Sequence, residues 1–274
     1  MKKTYSLLRH LTVLLICLMC MSPFLVLLNL SLNTPRHNLY EDSLIVPDFY
    51  FGNYAEGWVK SHIGRAMVNS GIIAFAALAL IVLLGAMAGY TVARFPNRFN
   101  RMVFSVLLGC MMIPGIINTV PLYTLMIRIK AVNTLWGMAL VCATLALPQA
   151  VFVFSGFIQS IPRELEEAAI IDGCSYFTAF WRVVFPLLKP SVSAVVILNG
   201  FGIWNNYSQA VFFLQSSEKH NVPQALSVYF QQFAGAQWNL MAATAVIAIV
   251  PVVAVFLVFQ KRIMSGLTEG AIKG

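Results

Sequence analysis

Residues 159–190 read QSIPRELEEAAIIDGCSYFTAFWRVVFPLLKP, a polar stretch between two uncharged ones. It contains four of the ten acidic residues of the chain, namely Glu164, Glu166, Glu167 and Asp172. The flanking stretches, 131–162 and 190–217, carry no charge. Each is longer than the roughly 20 apolar residues that cross a bilayer. The sequence therefore predicts two membrane spans joined by a structured polar loop.

The whole chain shares this apolar character. Hydrophobic residues make up 59% of its 274 residues and charged residues 10%, whereas soluble domains carry about a quarter charged residues. Further uncharged stretches occur at 11–35, 66–93, 102–127 and 220–260. The last is polar at its start, so its span is placed later. We predict an all-α polytopic membrane protein, a single domain over 1–274, with about six transmembrane helices at approximately 11–31, 68–93, 102–127, 134–159, 191–214 and 239–260.

Basic residues near span ends stay in the cytoplasm, which predicts the orientation. With the N-terminus inside, the cytoplasmic segments hold 12 of the 18 basic and five of the ten acidic residues, a net charge of +7 against +1 outside. Both termini are thus expected in the cytoplasm, and segments 32–67 and 215–238 are expected outside. The basic residues stand singly at span ends, which argues against a nucleic-acid-binding surface. The N-terminal apolar run is too long for a signal peptide, so we expect an uncleaved first helix.

Motifs for catalysis are missing from this sequence. It has no phosphate-binding G-x-x-x-x-G-K-[ST] loop and no H-E-x-x-H motif. No charged residue lies within the predicted spans, although proton-coupled carriers usually need one as a relay. Sodium sites built from backbone carbonyls remain possible. Four of the five cysteines fall inside spans, which argues against a disulfide framework or a metal site. We expect a non-catalytic chain without a bound metal or cofactor.

The polar loop itself predicts a helix, a turn and a second helix lying parallel to the membrane. Pro162 is tolerated in a first helical turn, and the acidic residues after it suit the positive end of the helix dipole. We expect this helix to run from Ser160 to about Asp172. Gly173 then ends it, because glycine adopts left-handed backbone angles readily. Apolar residues resume before Pro186 and Pro190.

The sequence Glu167-Ala168-Ala169-Ile170-Ile171-Asp172-Gly173 resembles the EAA loop of ABC importer permeases. The resemblance extends to Phe180, Trp181, Arg182, Pro186 and Pro190. It implies a type I ABC importer permease fold in which the loop, 160–190, forms a coupling helix seated in a cleft of a separate ATPase subunit. That subunit, and not this chain, would bind ATP and Mg²⁺. The residues implied to couple to the ATPase are Glu167, Ala168, Ala169, Asp172, Gly173 and Pro186.

Other motifs are similar to the carbohydrate-uptake branch related to the maltose permeases. They are Asn69-Ser70, Ala93-Arg94-Phe95-Pro96, Ile113-Pro114, Pro121-Leu122-Tyr123, Asn133-Thr134-Leu135-Trp136-Gly137, Ile161-Pro162-Arg163-Glu164-Leu165 and the tail Gly266–Gly274. Cys174 departs from the usual alanine. The resemblance implies a bacterial inner-membrane complex with a second homologous permease, two ATPase subunits and an extracytoplasmic solute-binding protein. The tail is implied to approach the ATPase dimer; a frayed terminus is the alternative.

A polar and aromatic cluster near the fifth span is the place to look for sugar contacts, since amides, hydroxyls and aromatic faces bind sugars. The candidates for the substrate pathway are Asn118, Asn199, Trp204, Asn205, Asn206 and Tyr207. Helix-to-helix hydrogen bonds are the alternative for the amides, and interfacial anchoring is the alternative for the aromatic residues. Asn118 and Thr119, between Pro114 and Pro121, indicate either an unwound stretch or a proline kink.

The external segment before Asn69 is rich in aromatic residues. The resemblance implies a docking surface for the binding protein, and aromatic residues at the membrane interface are the alternative. For the whole chain we expect a permease subunit of an ATP-driven importer of a sugar or oligosaccharide. A related permease for a glycerol phosphodiester, a peptide or an anion is the nearest alternative, and a polytopic membrane enzyme or an assembly subunit is a more distant one.

Overall fold

The computed structural model describes residues 2–34, 47–230 and 237–271. Within these ranges the chain is helical and contains no strand. The helices are α1 (Lys2–Ser31), α2 (Gly52–Lys60), α3 (Ile63–Arg94), α4 (Arg98–Met111), α5 (Thr119–Arg128), α6 (Leu135–Gln159), α7 (Glu164–Ile171), α8 (Tyr176–Ala179), α9 (Phe185–Leu187), α10 (Lys189–Trp204), α11 (Ala210–Phe213), α12 (Val222–Ser227) and α13 (Trp238–Ala271). A 3₁₀ turn at Gly115–Asn118 precedes α5, and a π-helical turn at Phe180–Val184 joins α8 to α9.

Four of the described helices are long and apolar enough to cross a membrane by themselves. They are Arg9–Ser31, Ile63–Arg94, Leu135–Gln159 and Trp238–Val258. There are also two bent helix pairs, and counting each pair as one broken span gives up to six candidate spans. The predicted fold class, an all-α polytopic membrane protein, is confirmed, while the exact bounds of the spans stay predictions.

The first bent pair corresponds to the predicted third span, 102–127, which is not one continuous helix. Its two halves, α4 and residues Gly115–Arg128, meet at 105°. The cause is Pro114, which is extended with ψ 127° and disfavours helical angles at the residue before it. The helix therefore ends at Met111 and restarts only after the break.

The second bent pair lies at the predicted fifth span, 191–214. Residues Tyr176–Leu187 and α10 meet at 72°, and prolines stand on both sides of this bend, at 186 and 190. The helix of the span also stops early. It ends at Trp204, five non-helical residues follow, and one short turn of helix, α11, comes after them.

The chain forms two compact units, each with its own core. The first comprises Met1–Arg65 with Ala225–Ala254. In it, the buried Tyr229 hydroxyl donates to the Gly57 carbonyl at 3.2 Å and lies 3.1 Å from the Thr244 hydroxyl.

The second unit comprises Ala66–Gln224 with Val255–Gly274. Its core joins α3, α6, α10 and the π-helical turn, with Phe154, Val184 and Val195 fully buried. A Cβ atom on Gly89 would lie 2.8 Å from the Cβ of Phe154. Glycine at this position therefore permits the close packing of α3 on α6.

Candidate functional site

Helix α7 lies in the loop 160–190 and has defined ends. Its first turn carries three glutamates, whose negative charges are stabilised by the positive end of the helix dipole. At the other end, the Cys174 amide donates to the Ala169 carbonyl and the Gly173 amide donates to the Ile170 carbonyl, both at 2.9 Å. Gly173 has φ +89°. These are the bonds of a Schellman motif, so Gly173 ends the helix as expected. The start differs from the prediction, because Ser160 caps α6 and α7 begins only at Glu164.

A buried ion pair holds α7 against the end of α3. The Arg94 Nε donates to Glu166 Oε1 at 2.5 Å, and the two side chains are 6% and 8% exposed. The Tyr90 hydroxyl donates to Glu166 Oε2 at 3.0 Å, and a second guanidinium nitrogen of Arg94 donates to the Ile161 carbonyl at 2.9 Å. Both carboxylate oxygens of Glu166 therefore have donors, and the pair fixes the inner face of α7.

Aromatic rings extend this attachment beyond α7. The ring of Tyr90 lies 5.0 Å from that of Phe180, and the ring of Phe95 lies 5.4 Å from that of Tyr176, centroid to centroid. Trp181 in turn packs on Phe180 at 4.9 Å. Tilted and edge-on ring contacts of this kind stabilise packing beyond the area they bury. The end of α3, α7 and the π-helical turn thus form one packed cluster, which we call the loop anchor (Tyr90, Arg94, Glu166, Phe180).

The outer face of α7 is left free and is partly apolar. Ile171 is 84% exposed and Leu165 is 46% exposed. Of the residues that the motif implied to couple to an ATPase, Ala169 is half-buried and the others are exposed: Glu167, Ala168, Asp172, Gly173 and Pro186. Five of the six therefore lie in α7 or at its C-terminal end, on the same helix as the two exposed apolar side chains, whereas Pro186 lies in α9.

Sequence reasoning missed the roles of Arg94 and Glu166. Arg94 was considered as a charge at a span end and as part of the Ala93-Arg94-Phe95-Pro96 motif, and Glu166 as one of three acidic residues near a helix start. Its position on the helix distinguishes Glu166 from the other two glutamates, because Glu166 lies on the inner face of α7 while Glu164 and Glu167 are exposed. Its partner is 72 residues away in the sequence, so no local pattern reveals the pair.

Most of the predicted pathway residues lie at or next to the two breaks in the helices, whereas Asn199 lies inside α10. Asn199 is buried in α10 and donates to the Val195 carbonyl at 2.9 Å, and Asn205 donates to the Phe201 carbonyl at 3.0 Å. Both amides thus bond to their own helix one turn earlier. Among the described residues, the hydrogen bonds that these two side chains donate therefore stay within α10.

The two breaks meet through Gln209, which belongs to the polar cluster predicted near the fifth span. Its side-chain amide donates to the Gly115 carbonyl at 3.3 Å, and its side-chain oxygen accepts from the Thr119 hydroxyl at 3.2 Å. The Asn206 side-chain oxygen accepts from the backbone N–H of Gln209 at 3.0 Å. Asn118 is half-buried next to Thr119. The structure therefore brings Asn118 and Asn206 to neighbouring breaks.

The remaining pathway candidates flank the second break. Trp204 ends α10 and is half-buried, whereas Tyr207 is 41% exposed. The Asn206 side-chain amide faces Cys142 Sγ of α6 at 3.7 Å. Polar groups at breaks in membrane helices are tolerated where they are buried in protein or line a cavity.

Asn69 and Ser70 on α3 hold the connection that follows α11. The Asn69 side-chain amide donates to the Glu218 and His220 carbonyls, both at 2.9 Å, and the Ser70 hydroxyl accepts from the Val222 amide at 3.0 Å. Burial lowers the pKa of His220 below its ordinary value. This Asn-Ser pair of the sequence motif therefore orders residues 218–222.

Known proteins with similar sequences are membrane components of transport systems. The family described as "Binding-protein-dependent transport system inner membrane component" matches residues 81–268. The melibiose/raffinose/stachyose import permease protein MelC of Bacillus subtilis is 38% identical over 255 residues, which covers 92% of this chain and 91% of the relative. The trehalose transport system permease protein SugB of Mycobacterium tuberculosis is 32% identical, with 92% of each chain covered. The diacetylchitobiose uptake system permease protein NgcG of Streptomyces coelicolor is 34% identical over 83% of this chain and 76% of the relative.

A solved structure has the same fold. It is a chain of a bacterial ABC transporter involved in the import of the acidic polysaccharide alginate, with a TM-score of 0.80 at 19% identity over 94% of this chain and 96% of that one. The predicted resemblance to ABC permeases of the carbohydrate-uptake branch is confirmed by these matches. This chain belongs to the family of binding-protein-dependent transport system inner membrane components.

Proposed function

We propose that this chain is a permease subunit of an ATP-driven ABC importer and forms half of the pathway for a sugar or oligosaccharide. The observation that carries the proposal is α7, a short helix fixed from within by the buried Arg94–Glu166 pair and free on its outer face. Family membership and relatives named for the import of melibiose, trehalose and diacetylchitobiose support the solute class.

In this proposal α7 is the coupling helix. Its exposed Leu165 and Ile171 insert into a cleft of a separate ATPase subunit, which binds ATP and Mg²⁺. The exposed carboxylates of Glu167 and Asp172 contact the rim of that cleft. When the ATPase subunits close, α7 moves as a rigid body. It does so because Glu166, on its inner face, accepts hydrogen bonds from Arg94 and Tyr90 of α3. A rigid element with two positions transmits such a motion, whereas a flexible loop absorbs it.

The solute pathway is proposed to run along the broken helices. The candidates are Asn118, Asn199, Trp204, Asn205, Asn206 and Tyr207, together with Gln209 of the same polar cluster. Amide groups and aromatic faces near non-helical backbone suit hydroxyl-rich neutral solutes. Charged side chains are missing from the predicted spans, and this disfavours an anionic solute such as a glycerol phosphodiester.

The assembly proposed around this chain has four kinds of partner. They are a second homologous permease, two ATPase subunits, an extracytoplasmic solute-binding protein and the lipid of a bacterial inner membrane. The predicted cytoplasmic position of both termini agrees with α7 facing the ATPases. The tail Gly266–Gly274 lies outside the residues whose side chains are described, so its contact with the ATPase stays a prediction.

The test of the coupling role uses Ile171, which has an exposed side chain and no part in the loop anchor. The tagged chain is purified with its co-expressed partners from native membranes, and ATPase activity and sugar uptake are measured. We expect Ile171→Asp to lose the ATPase subunit and sugar uptake, because a charge replaces an apolar contact. The matched control, Ile171→Leu, keeps an apolar side chain of the same volume and should retain both.

Two results would count against the proposal. Full recovery of an active ATPase with Ile171→Asp would contradict the docking of α7. Uptake by the intact complex of a peptide or a glycerol phosphodiester, with no response to any sugar, would contradict the solute class while leaving the coupling role in place.

A further inference from the structure

Helix α2 has a polar inner face, which is unusual for a helix between two membrane spans. Asn53 is fully buried and its side-chain amide donates to the carbonyls of Ser31 and Asn33, at 2.9 and 2.8 Å. Its side-chain oxygen accepts from the Asn239 amide at 2.8 Å. Asn53 thus ties the end of α1 to the start of α13.

Two further contacts close this inner face. The Tyr54 hydroxyl lies 2.7 Å from the Ser31 hydroxyl. One turn after Asn53, Gly57 is buried, and a Cβ atom at this position would lie 2.6 Å from Thr244 Oγ1. The side of α2 that faces its own unit is therefore made of hydrogen-bonded polar groups and one glycine.

The outer face of α2 is apolar and aromatic. Phe51 is 66% exposed, Val59 is 68% exposed and Trp58 is 48% exposed, and Ala55 lies between them. A helix on the surface of a soluble protein has the opposite arrangement, with apolar residues inward and polar ones outward. An outward apolar stripe with aromatic residues matches helices that lie in the interface plane of a bilayer.

The position of α2 in the chain brings it to the level at which spans end. The carbonyl of Ser31, the last residue of α1, is bound by Asn53, and only two residues separate Lys60 from α3. Phe49 and His62, on either side of α2, have φ values of +55° and +50°. Non-glycine residues adopt these angles only where the surrounding structure requires a sharp turn. The chain therefore turns before and after α2, which separates this helix from α3 as an element of its own.

We propose that α2 is an interfacial helix whose Phe51, Trp58 and Val59 lie in the headgroup and acyl boundary of the leaflet at the Ser31 end of α1. Apolar side chains of α1 are exposed along the span Arg9–Ser31, and none of its most apolar window is buried. The aromatic face of α2 thus continues a lipid-facing surface of the same unit. Aromatic residues are enriched at this depth of membrane proteins.

The alternative occupant is a soluble protein that docks from the water phase, as a solute-binding protein would. Such a surface normally has a polar rim and charges that guide its partner. The only charged residues of α2 are Glu56 and Lys60, one of each sign, and the Lys60 ammonium is bound to the Gln237 side-chain oxygen at 2.6 Å. The face therefore lacks the charge pattern of a docking site and fits lipid better.

Placed at the interface, α2 would link the bilayer surface to the ends of two spans. Its outer face is held by the bilayer while its inner face binds the ends of α1 and α13 through Asn53 and Gly57. The bilayer thereby fixes the depth of these two span ends. This inference does not depend on the nature of the transported solute.

The experiment places a photoreactive amino acid, p-benzoylphenylalanine, at Phe51 or Trp58 of the full chain, co-expressed with its partners in native membranes. Irradiated protein is analysed by mass spectrometry. We expect phospholipid adducts at both positions, at least fivefold more than at Glu56, which is exposed on the same helix.

Three outcomes would overturn the proposal. They are crosslinks chiefly to a solute-binding protein, crosslinks chiefly to another permease chain, and crosslinks within the chain to residues 35–46. A variant that fails to assemble is replaced by Val59→Cys, made in a chain whose five native cysteines are changed to alanine and labelled with a nitroxide. The relaxation of this label should respond to oxygen more than to a water-soluble nickel complex. The reverse order of these two relaxation effects would also overturn the proposal.

Discussion

Arg94 and Glu166 are each other's only charged partner among the described residues, and both are nearly fully buried. Removing one of them leaves the other charge buried without compensation, at a cost of about 3 to 5 kcal/mol. We expect Glu166→Gln to lower the thermal unfolding midpoint of the purified complex and to uncouple ATP hydrolysis from uptake. Glu164→Gln, in the exposed first turn of α7, serves as the control and should change neither property.

A double-variant cycle separates the ion pair from other effects of the substitution. Arg94→Gln combined with Glu166→Gln leaves no buried charge, so the two destabilisations should sum to clearly more than that of the double variant. Strict additivity would mean that the pair contributes nothing to the position of α7. If a stable Glu166→Gln variant still couples ATP hydrolysis to uptake, the loop anchor is not needed for coupling.

Gly173 allows a second prediction at the residue level. Its φ of +89° is disfavoured for residues with a Cβ atom, yet a Cβ here would meet no atom within 4 Å. Gly173→Ala should therefore cost about 1 kcal/mol through backbone strain alone. Amide hydrogen exchange over residues 169–175 should become faster in this variant.

Gly156 provides the matched control for that substitution. It lies inside α6 without positive φ and also has nothing within 4 Å of a built Cβ. Gly156→Ala should be neutral or slightly stabilising, because alanine favours helix over glycine. Equal effects of the two substitutions would contradict the strain argument.

At the level of the element, the connection after α11 should respond to pH. Burial lowers the pKa of His220, so the folded connection favours the neutral imidazole. The ordered form is therefore fully stable above pH 6.5, the ordinary value for histidine, and loses stability as the pH falls below it. We expect the exchange protection of residues 217–224 to fall between pH 7.5 and pH 5.5, after correction for intrinsic rates.

The control for this pH effect is His220→Gln, which cannot gain a proton in that range. Asn69→Ala removes both bonds to the carbonyls of this connection and should lower protection at every pH. A pH response that persists in His220→Gln would assign the effect to another group and contradict the role of His220.

At the scale of the whole molecule, Gln209 joins the two breaks that interrupt candidate spans. Its side-chain bonds to Gly115 and Thr119 are the described hydrogen bonds between these breaks. We expect Gln209→Ala to reduce the rate of sugar uptake severalfold while the complex still assembles and hydrolyses ATP. Gln215→Ala is the control, since this glutamine is exposed and bonds the Tyr123 hydroxyl instead. A wild-type rate of uptake by Gln209→Ala would show that the link between the two breaks is structural and does not contribute to transport.

Hydropathy alone predicted the architecture of the chain, because six uncharged stretches of sufficient length are properties of local composition. The angles of the third and fifth spans were not predictable in the same way. Pro114 and Pro186 mark places where a helix is weakened, but the 105° and 72° bends depend on what each half packs against.

The candidate site likewise has features that follow from the local sequence and features that depend on distant residues. The end of α7 at Gly173 follows from a local rule and was predicted. The inward orientation of Glu166, the bridge made by Gln209 and the polar inner face of α2 each depend on residues far away in the sequence. Aromatic residues near Trp58 were recognised in the sequence, but only the burial of Asn53 and Gly57 decides which face points outward.

The exposed outer face of α7 has a consequence for the biosynthesis of this protein. A newly inserted chain without its ATPase presents Leu165 and Ile171 to water on a rigid surface. Apolar side chains displayed in this way are what chaperones and membrane proteases bind on incomplete complexes. In the proposed assembly we therefore expect copies that lack the ATPase to be removed, so the amount of this subunit that accumulates should follow the supply of the ATPase rather than its own rate of synthesis.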